Sequence, residues 1–274
     1  RAEGRSPIYT GGEYREMDPE EALRRVRSGE PHTIRFKTPR EGQTVVKDVI
    51  RGPVTFENEN IEDFVLMKST GTPTYNFACV VDDAAMEISH VIRGDDHLSN
   101  TPRQILIYRA LGHELPAFAH VPQVLGPDRK KLSKRHGAAS VEDFAEQGYL
   151  PEALFNYLAL LGAGYAADEE IFSPQELAER FRLEKVSGNP AIFDVQKLTA
   201  INAVYLRRKS PEELAMMAAP LLAERGVATK EELERDMERL TRIMELLRER
   251  ISLTTEIPDA TGYFYGGTLE YAPD

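Results

Sequence analysis

Two short polar stretches hold the side chains best suited to chemistry. The first, Asp128-Arg-Lys-Lys-Leu-Ser-Lys-Arg-His-Gly137, packs five Lys and Arg residues into a chain whose formal net charge is -11. Like charges in a row repel, so such a run implies an anion nearby. Lys131 and Lys134 stand three apart with Ser133 between them. Mobile ammonium groups in that arrangement suit a polyphosphate, whose charge moves during phosphoryl or nucleotidyl transfer. A P-loop would need G-x-x-x-x-G-K-[S/T], which occurs nowhere in the chain. A solvated basic turn has the same composition, and charge alone does not separate the two readings.

The second stretch is Arg93-Gly-Asp-Asp-His97. A guanidinium grips a carboxylate with two parallel hydrogen bonds, and the aspartates suit an ammonium group or ribose hydroxyls. Judged alone, a salt-bridged surface turn is the simpler reading. Asp82-Asp83 reads either as an acidic pair for a metal or proton transfer, or more simply as a strand-ending turn. The Tyr75 hydroxyl is placed either for a ligand or for packing alone. Six histidines are scattered without H-E-x-x-H spacing, which disfavours a zinc hydrolase. Only His97 and His136 neighbour the two polar stretches. The single cysteine, Cys79, excludes an intrachain disulfide and a cysteine-based zinc cluster, and its apolar surroundings read as core. No metal site is expected from these residues.

Elements must position these groups. Asp18-Pro-Glu-Glu, Ser173-Pro-Gln-Glu and Ser210-Pro-Glu-Glu each combine an N-cap, a proline at the first helical position and an acid that can close a capping box. Thr101-Pro-Arg-Gln reads as the same box with glutamine. Gly29, Gly112 and Gly226 fall where three of the helices should stop. Between about 32 and 70, short apolar runs broken by Pro39, Gly42 and Gly52 predict antiparallel strands. From 74 to 125 the predicted order is strand (Tyr75–Val81), strand (Met86–Ile92), helix (Pro102–Leu111) and strand (about Phe118–Leu125). The last three elements form a right-handed crossover between parallel strands. Ligands of open parallel sheets bind beyond the carboxyl ends of the strands, which would put both polar stretches on one side of the sheet. Beyond about 140 the pattern is wholly helical, with apolar stripes at Leu154, Leu158 and Leu161 and at Leu240, Ile243, Met244 and Leu247.

Composition limits the alternatives. A chain of 274 residues can hold two or more compact units, and 41% hydrophobic with 29% charged residues is ordinary for a globular protein. No run approaches the roughly 18 apolar residues of a membrane span. The acidic balance argues against a general nucleic-acid coat protein but not against a local basic site, because salt screens charges beyond about 8–10 Å. A reducing, cytoplasmic setting and no membrane partner are expected.

Lys131-Leu-Ser-Lys-Arg135 resembles the Lys-Met-Ser-Lys-Ser loop of class I aminoacyl-tRNA synthetases, with Leu132 for Met and Arg135 for the last Ser. Pro73-Thr-Tyr-Asn-Phe77, Val80-Val-Asp-Asp83, His90-Val-Ile-Arg-Gly-Asp-Asp-His97, Thr101-Pro-Arg-Gln104 and Gly148-Tyr-Leu-Pro-Glu-Ala-Leu154 join it. In order and spacing they closely resemble the bacterial glutamyl-tRNA synthetases over nearly the full chain. That resemblance implies an α/β fold, the second half of a class I Rossmann-type catalytic domain, with helical units after it. Residues 1–73 would end a mixed α+β acceptor-stem-binding insertion and 74–128 would be the catalytic half. Residues 129–209 would form a helical stem-contact region and 210–274 would begin an anticodon-binding part. The implied reaction is activation of glutamate by ATP, with Mg2+, to glutamyl-adenylate, then transfer to the 3′ end of tRNA(Glu). Lys131 and Lys134 fall on the catalytic loop lysines that stabilise departing pyrophosphate, with Leu132, Ser133 and Arg135 beside the nucleotide. Asp96 falls on an acid near the adenylate, and Tyr75 and Arg93 fall on glutamate contacts. Cys79 occupies a variable position and receives no role. The resemblance implies no zinc site here and a monomeric parent.

The family's His-x-Gly-His-type motif and the N-terminal arginine and serine that help bind glutamate are absent, as are the distal anticodon-recognising helices. The chain therefore reads as an internal segment, expected not to form the adenylate alone. ATP–pyrophosphate exchange on the 274-residue chain tests this, and robust activity would contradict it. The rival readings are a non-catalytic RNA-binding module of the same fold, a glutaminyl-tRNA synthetase relative, and the shorter tRNA-queuosine glutamylating relatives. The helical extension past Leu206 speaks against the last.

Overall fold

The computed structural model describes residues 9, 12–133, 135, 137, 140–162 and 169–266, and the chain divides into two compact units, 1–123 and 124–274. The first unit opens with α1 (Gly12–Arg15) and α2 (Pro19–Arg27). Asp18 caps α2 as expected, accepting the backbone N–H groups of Glu20 and Glu21 at 2.9 and 3.1 Å. The strands β1 (Ile34–Arg35), β2 (Gln43–Asp48), β3 (Gly52–Glu57) and β4 (Val65–Met67) follow, pairing antiparallel as β1–β4 and β2–β3. Then come α3 (Tyr75–Ala85), β5 (His90–Gly94), α4 (Thr101–Leu111) and β6 (Ala117–Val121).

The main sheet has the order β3-β2-β6-β5. Strands β5 and β6 are parallel, as the predicted strand–helix–strand unit requires, in register from His90↔Ala117 to Gly94↔Val121. β2 joins β6 in parallel at Asp48↔Phe118, so strands from both sides of residue 73 share one hydrogen-bonded sheet. Val46, Val80, Ile105, Ile107 and Phe118 form the core between this sheet and helices α3 and α4. Each such side chain contributes about 1.5–3 kcal/mol by leaving water.

Residues 75–81 are helical, where the sequence predicted a strand. Their β-branched and aromatic content favours a strand locally. Phe77, Val80 and Ala84, however, recur at the helical period and are the positions that pack into the core. Asp82 and Asp83 therefore lie within a helix rather than in a strand-ending turn, and Cys79 is half-buried on that helix rather than inside a strand. The predicted strand 86–92 starts later, at His90, and runs on through Arg93 to Gly94. The predicted strand 118–125 is two strands in different sheets: β6 ends at Val121, and Val124–Leu125 forms β7.

In the second unit β7 pairs in parallel with β8 (Ala191–Ile192), so the region beyond 140 is not wholly helical. Its helices are α5 (Val141–Glu146), α6 (Pro151–Leu160), α7 (Pro174–Arg180), α8 (Val195–Arg208), α9 (Pro211–Glu224), α10 (Lys230–Arg235), α11 (Met237–Leu247) and α12 (Ile257–Gly262). The capping boxes at Ser173–Glu176 and Ser210–Glu213 form as predicted. Leu240, Ile243, Met244 and Leu247 are buried in one core with Leu154, but Leu158 is 45% exposed. Two buried asparagines tie that core together. Asn156 Oδ1 accepts from Phe172 N at 2.6 Å, and Asn202 Oδ1 accepts from Leu150 N at 2.8 Å. Gly148 (φ +91°) follows α5 in the left-handed region, where a Cβ would lie 2.7 Å from Thr255 N.

Candidate active site

Arg93 is the fourth residue of β5, and the parallel register sets it beside His120 of β6. Its guanidinium is held on two edges. Nη2 donates to Thr101 Oγ1 at 2.8 Å and to Gln104 Oε1 at 2.7 Å, and Nε donates to His120 Nε2 at 3.3 Å. Among the described residues Nη1 has no hydrogen-bond partner, which leaves one edge of a fixed cation available to a ligand. Thr101 and Gln104 were expected to form a capping box. The helix instead begins at Thr101 with no side-chain cap, and both polar groups turn inward to Arg93. A half-buried cation draws acceptors strongly, and the Gln104 backbone N–H that a cap would serve is already bonded to Asn100 O at 3.2 Å.

The partners of Arg93 are themselves braced. Gln104 Nε2 donates to Asn76 Oδ1 at 3.2 Å, which ties α4 to α3. His120 is fully buried, and its Nδ1 lies 2.6 Å from Asp48 Oδ2. Burial pushes the His120 pKa down, and the Arg93 and Arg51 charges add to this against the opposing pull of Asp48. Sequence reasoning missed His120 and Asp48, since it admitted only His97 and His136 near the site. The available signal was the short apolar run of β6, a strand covered on both faces, in which a histidine follows Phe118 and Ala119.

Tyr75 opens α3 and is 54% exposed. Its hydroxyl lies 3.4 Å from His97 Nδ1, and the two rings are 5.8 Å apart. One and two helical turns on, Cys79 and Asp83 share its face, with Cys79 Sγ donating to Asp83 at 3.4 Å. Burial, followed by the Asp83 charge, pushes the Cys79 thiol up, so it stays protonated. Tyr108 on α4 is buried, and among the described residues its hydroxyl has no hydrogen-bond partner. Burial and the Asp83 charge push its pKa up to about 12. Asp95 is ion-paired with Arg51 at 2.5 Å, while Asp96 is exposed on the 3-10 turn Asp95–His97. The structure thus brings Tyr75 and His97 together and gives the two aspartates different surroundings.

In the second unit the basic stretch closes on itself. Gly126 N donates to Lys130 O at 2.8 Å, Arg129 adopts a left-handed φ of 60°, and Leu132 N donates to Val124 O at 2.9 Å. Leu132 packs against the helical core, and Lys131 is exposed beside it. Arg135 pairs with Asp128 at 3.2 Å, so part of the positive charge is balanced inside the loop. Ser133 is half-buried, and Lys134 and His136 lie outside the described residues. The loop leaves β7 and its small sheet rather than the sheet that carries Arg93, which removes the topological reason given above for placing the two stretches together. Among the described residues no group of three or more His, Cys, Asp or Glu could hold a metal ion, and no helix is long and apolar enough to cross a membrane.

Residues 4–200 match the family described as tRNA synthetases class I (E and Q), catalytic domain. The chain is 84% identical over 271 residues to glutamate–tRNA ligase 2 of Rubrobacter xylanophilus, covering 99% of this chain and 55% of that protein. It is 48% identical over 271 residues to the glutamate–tRNA ligase of Moorella thermoacetica, again covering 99% and 55%. The crystal structure of a glutamate tRNA ligase from Elizabethkingia meningosepticum in complex with its amino acid superposes with a TM-score of 0.83 at 32% identity, covering 96% of this chain and 56% of that one. The chain spans about half the length of the curated relatives it matches. With the family match running through the β5–α4–β6 unit and the Arg93 cluster it carries, this chain belongs to the class I tRNA synthetases for E and Q.

Proposed function

We propose that this chain serves a glutamate–tRNA ligase, which activates glutamate with ATP to glutamyl-adenylate and transfers it to the 3′ end of tRNA(Glu). The observation that carries the reading is the Arg93 guanidinium, fixed by Thr101, Gln104 and His120 with Nη1 left over. Two N–H donors on a positive group match the acceptor oxygens of a glutamate carboxylate. They match the carboxamide of glutamine less well, because its NH2 would meet donor with donor. The Tyr75 hydroxyl is the second glutamate contact in this reading, and Asp96 stands near the adenylate.

Lys131 and Lys134 neutralise the departing pyrophosphate, with Leu132, Ser133 and Arg135 lining the nucleotide. A short loop anchored at Gly126 and Leu132 carries the Lys131 ammonium, which suits charge that develops only in the transition state. ATP enters as its Mg2+ complex. Residues 1–73 complete the acceptor-stem-binding insertion, 74–128 the catalytic half, 129–209 the stem-contact region and 210–274 the start of the anticodon-binding part. The parent is read as a cytoplasmic monomer.

Amino-acid-dependent ATP–pyrophosphate exchange on the complete gene product, with total tRNA present, tests the proposal. Glutamate should support exchange and glutamine should not. Equal exchange with glutamine would move the protein to the glutamine branch, and tRNA binding without exchange would leave a non-catalytic RNA-binding module.

A further inference from the structure

We infer that His120 is a positioning residue for substrate recognition: clamped by Asp48 as a neutral imidazole, it sets the roll of the Arg93 guanidinium so that Nη1 is the edge offered to glutamate. The inference rests on the reading of Arg93 as a glutamate ligand.

Donor and acceptor accounting supports it. An arginine has five N–H donors and no acceptor, so every partner must accept. His120 Nε2 can accept from Arg93 Nε only if the ring proton sits on Nδ1, and Asp48 Oδ2, 2.6 Å from Nδ1, accepts the hydrogen bond from that N–H. Asp48 cannot swing away. Its Oδ2 also accepts the His120 backbone N–H at 3.0 Å, and its Oδ1 accepts the Ile50 and Arg51 backbone N–H groups at 3.0 and 2.9 Å. The Thr101 hydroxyl, 2.9 Å from His120 Nε2 and 2.8 Å from Arg93 Nη2, closes the ring between imidazole and guanidinium. A second proton on His120 would set a donor against a donor and a charge against Arg93, with Arg51 adding to the repulsion. Burial disfavours that proton first, and only Asp48 favours it.

Without this contact the Arg93 side chain keeps its Nη2 anchors but can rotate about them. The proposed role predicts a loss confined to glutamate. In the complete gene product, His120→Phe, which keeps a ring but no acceptor, should raise the glutamate KM about ten-fold while the ATP KM stays within about two-fold. His120→Gln places an acceptor at similar reach and should restore the glutamate KM to within about three-fold of wild type. Arg93→Lys is the control for the underlying reading and should raise the glutamate KM by more than either. If Arg93→Lys leaves that KM unchanged, the glutamate assignment of Arg93 falls. If Arg93→Lys is impaired while folded His120→Phe matches wild type, the positioning role alone falls. Because His120 is buried and the Phe variant can fail to fold, 15N spectra of the wild-type imidazole give an independent test. A neutral ring protonated at Nδ1 between about pH 6 and 8 is expected. The Nε2–H tautomer, or titration at the ordinary histidine value, would overturn the inference.

Discussion

Gln104 Oε1 accepts a 2.7 Å hydrogen bond from Arg93 Nη2, which joins the first turn of α4 to the end of β5. The same side chain donates to Asn76 on α3, so one amide fixes the cation and spaces two helices. Both ends of Gln104 are used, and that makes its substitutions informative.

Gln104→Leu leaves Arg93 and Asn76 short of partners in a buried place and should cost about 1–3 kcal/mol, read by urea unfolding. Gln104→Glu keeps an acceptor but adds a charge that competes with the substrate for Arg93. It loses the N–H that serves Asn76, so it should cost some stability, less than Gln104→Leu, and raise the glutamate KM of the complete gene product. Unchanged glutamate kinetics in Gln104→Glu would separate Arg93 from substrate binding.

The loop lysines should divide chemistry from binding. Lys131→Ala and Lys134→Ala are each expected to lower ATP–pyrophosphate exchange by about 10²-fold or more, with the glutamate KM little changed. If the lysines only touch RNA, the substitutions will instead weaken tRNA binding in a salt-dependent way and leave exchange intact.

The helical core makes a sharp contrast between two leucines of the sequence-predicted stripes. Leu240→Ala removes a fully buried side chain and should cost about 2–5 kcal/mol in denaturant unfolding. Leu158→Ala, at a position 45% exposed, should cost well under half of that. Equal costs would mean that Leu158 is packed in solution.

Acid sensitivity should pass through Glu152 and Lys209. Burial pushes the Glu152 carboxyl up, but the 2.7 Å hydrogen bond from Lys209 Nζ, a backbone hydrogen bond and the Lys209 charge together outweigh it, and the pKa lies below its ordinary 4.5. A depressed carboxylate pKa contributes stability that is present above the ordinary value and is lost as pH falls through the folded one. Lys209→Met should therefore reduce stability at neutral pH and flatten the stability profile below about pH 4.5. Thermal unfolding from pH 3 to 7 checks both parts, and an unchanged slope would show that the pair does not hold Glu152 ionised.

The sequence by itself determined what depends on near neighbours in the chain. The caps at Asp18, Ser173 and Ser210 formed where they were expected because a cap needs only residues within one helical turn. The left-handed stop at Gly112 followed for the same local reason, and the stripe from Leu240 to Leu247 followed from period alone. The Arg93 and Tyr75 motifs and the basic loop were legible as types and spacings, and they carried the family.

Tertiary structure decided the rest. Residues 75–81 carry strand-like side chains, yet burial of Phe77, Val80 and Ala84 against the core made them a helix. Thr101 and Gln104 have the spacing of a cap, but the half-buried Arg93 guanidinium was the stronger claim on their oxygens. Asp48 and His120 lie 72 positions apart, and no local pattern joins them. They meet because β2 and β6 are parallel neighbours, a pairing set by which faces bury apolar surface rather than by any short stretch of chain.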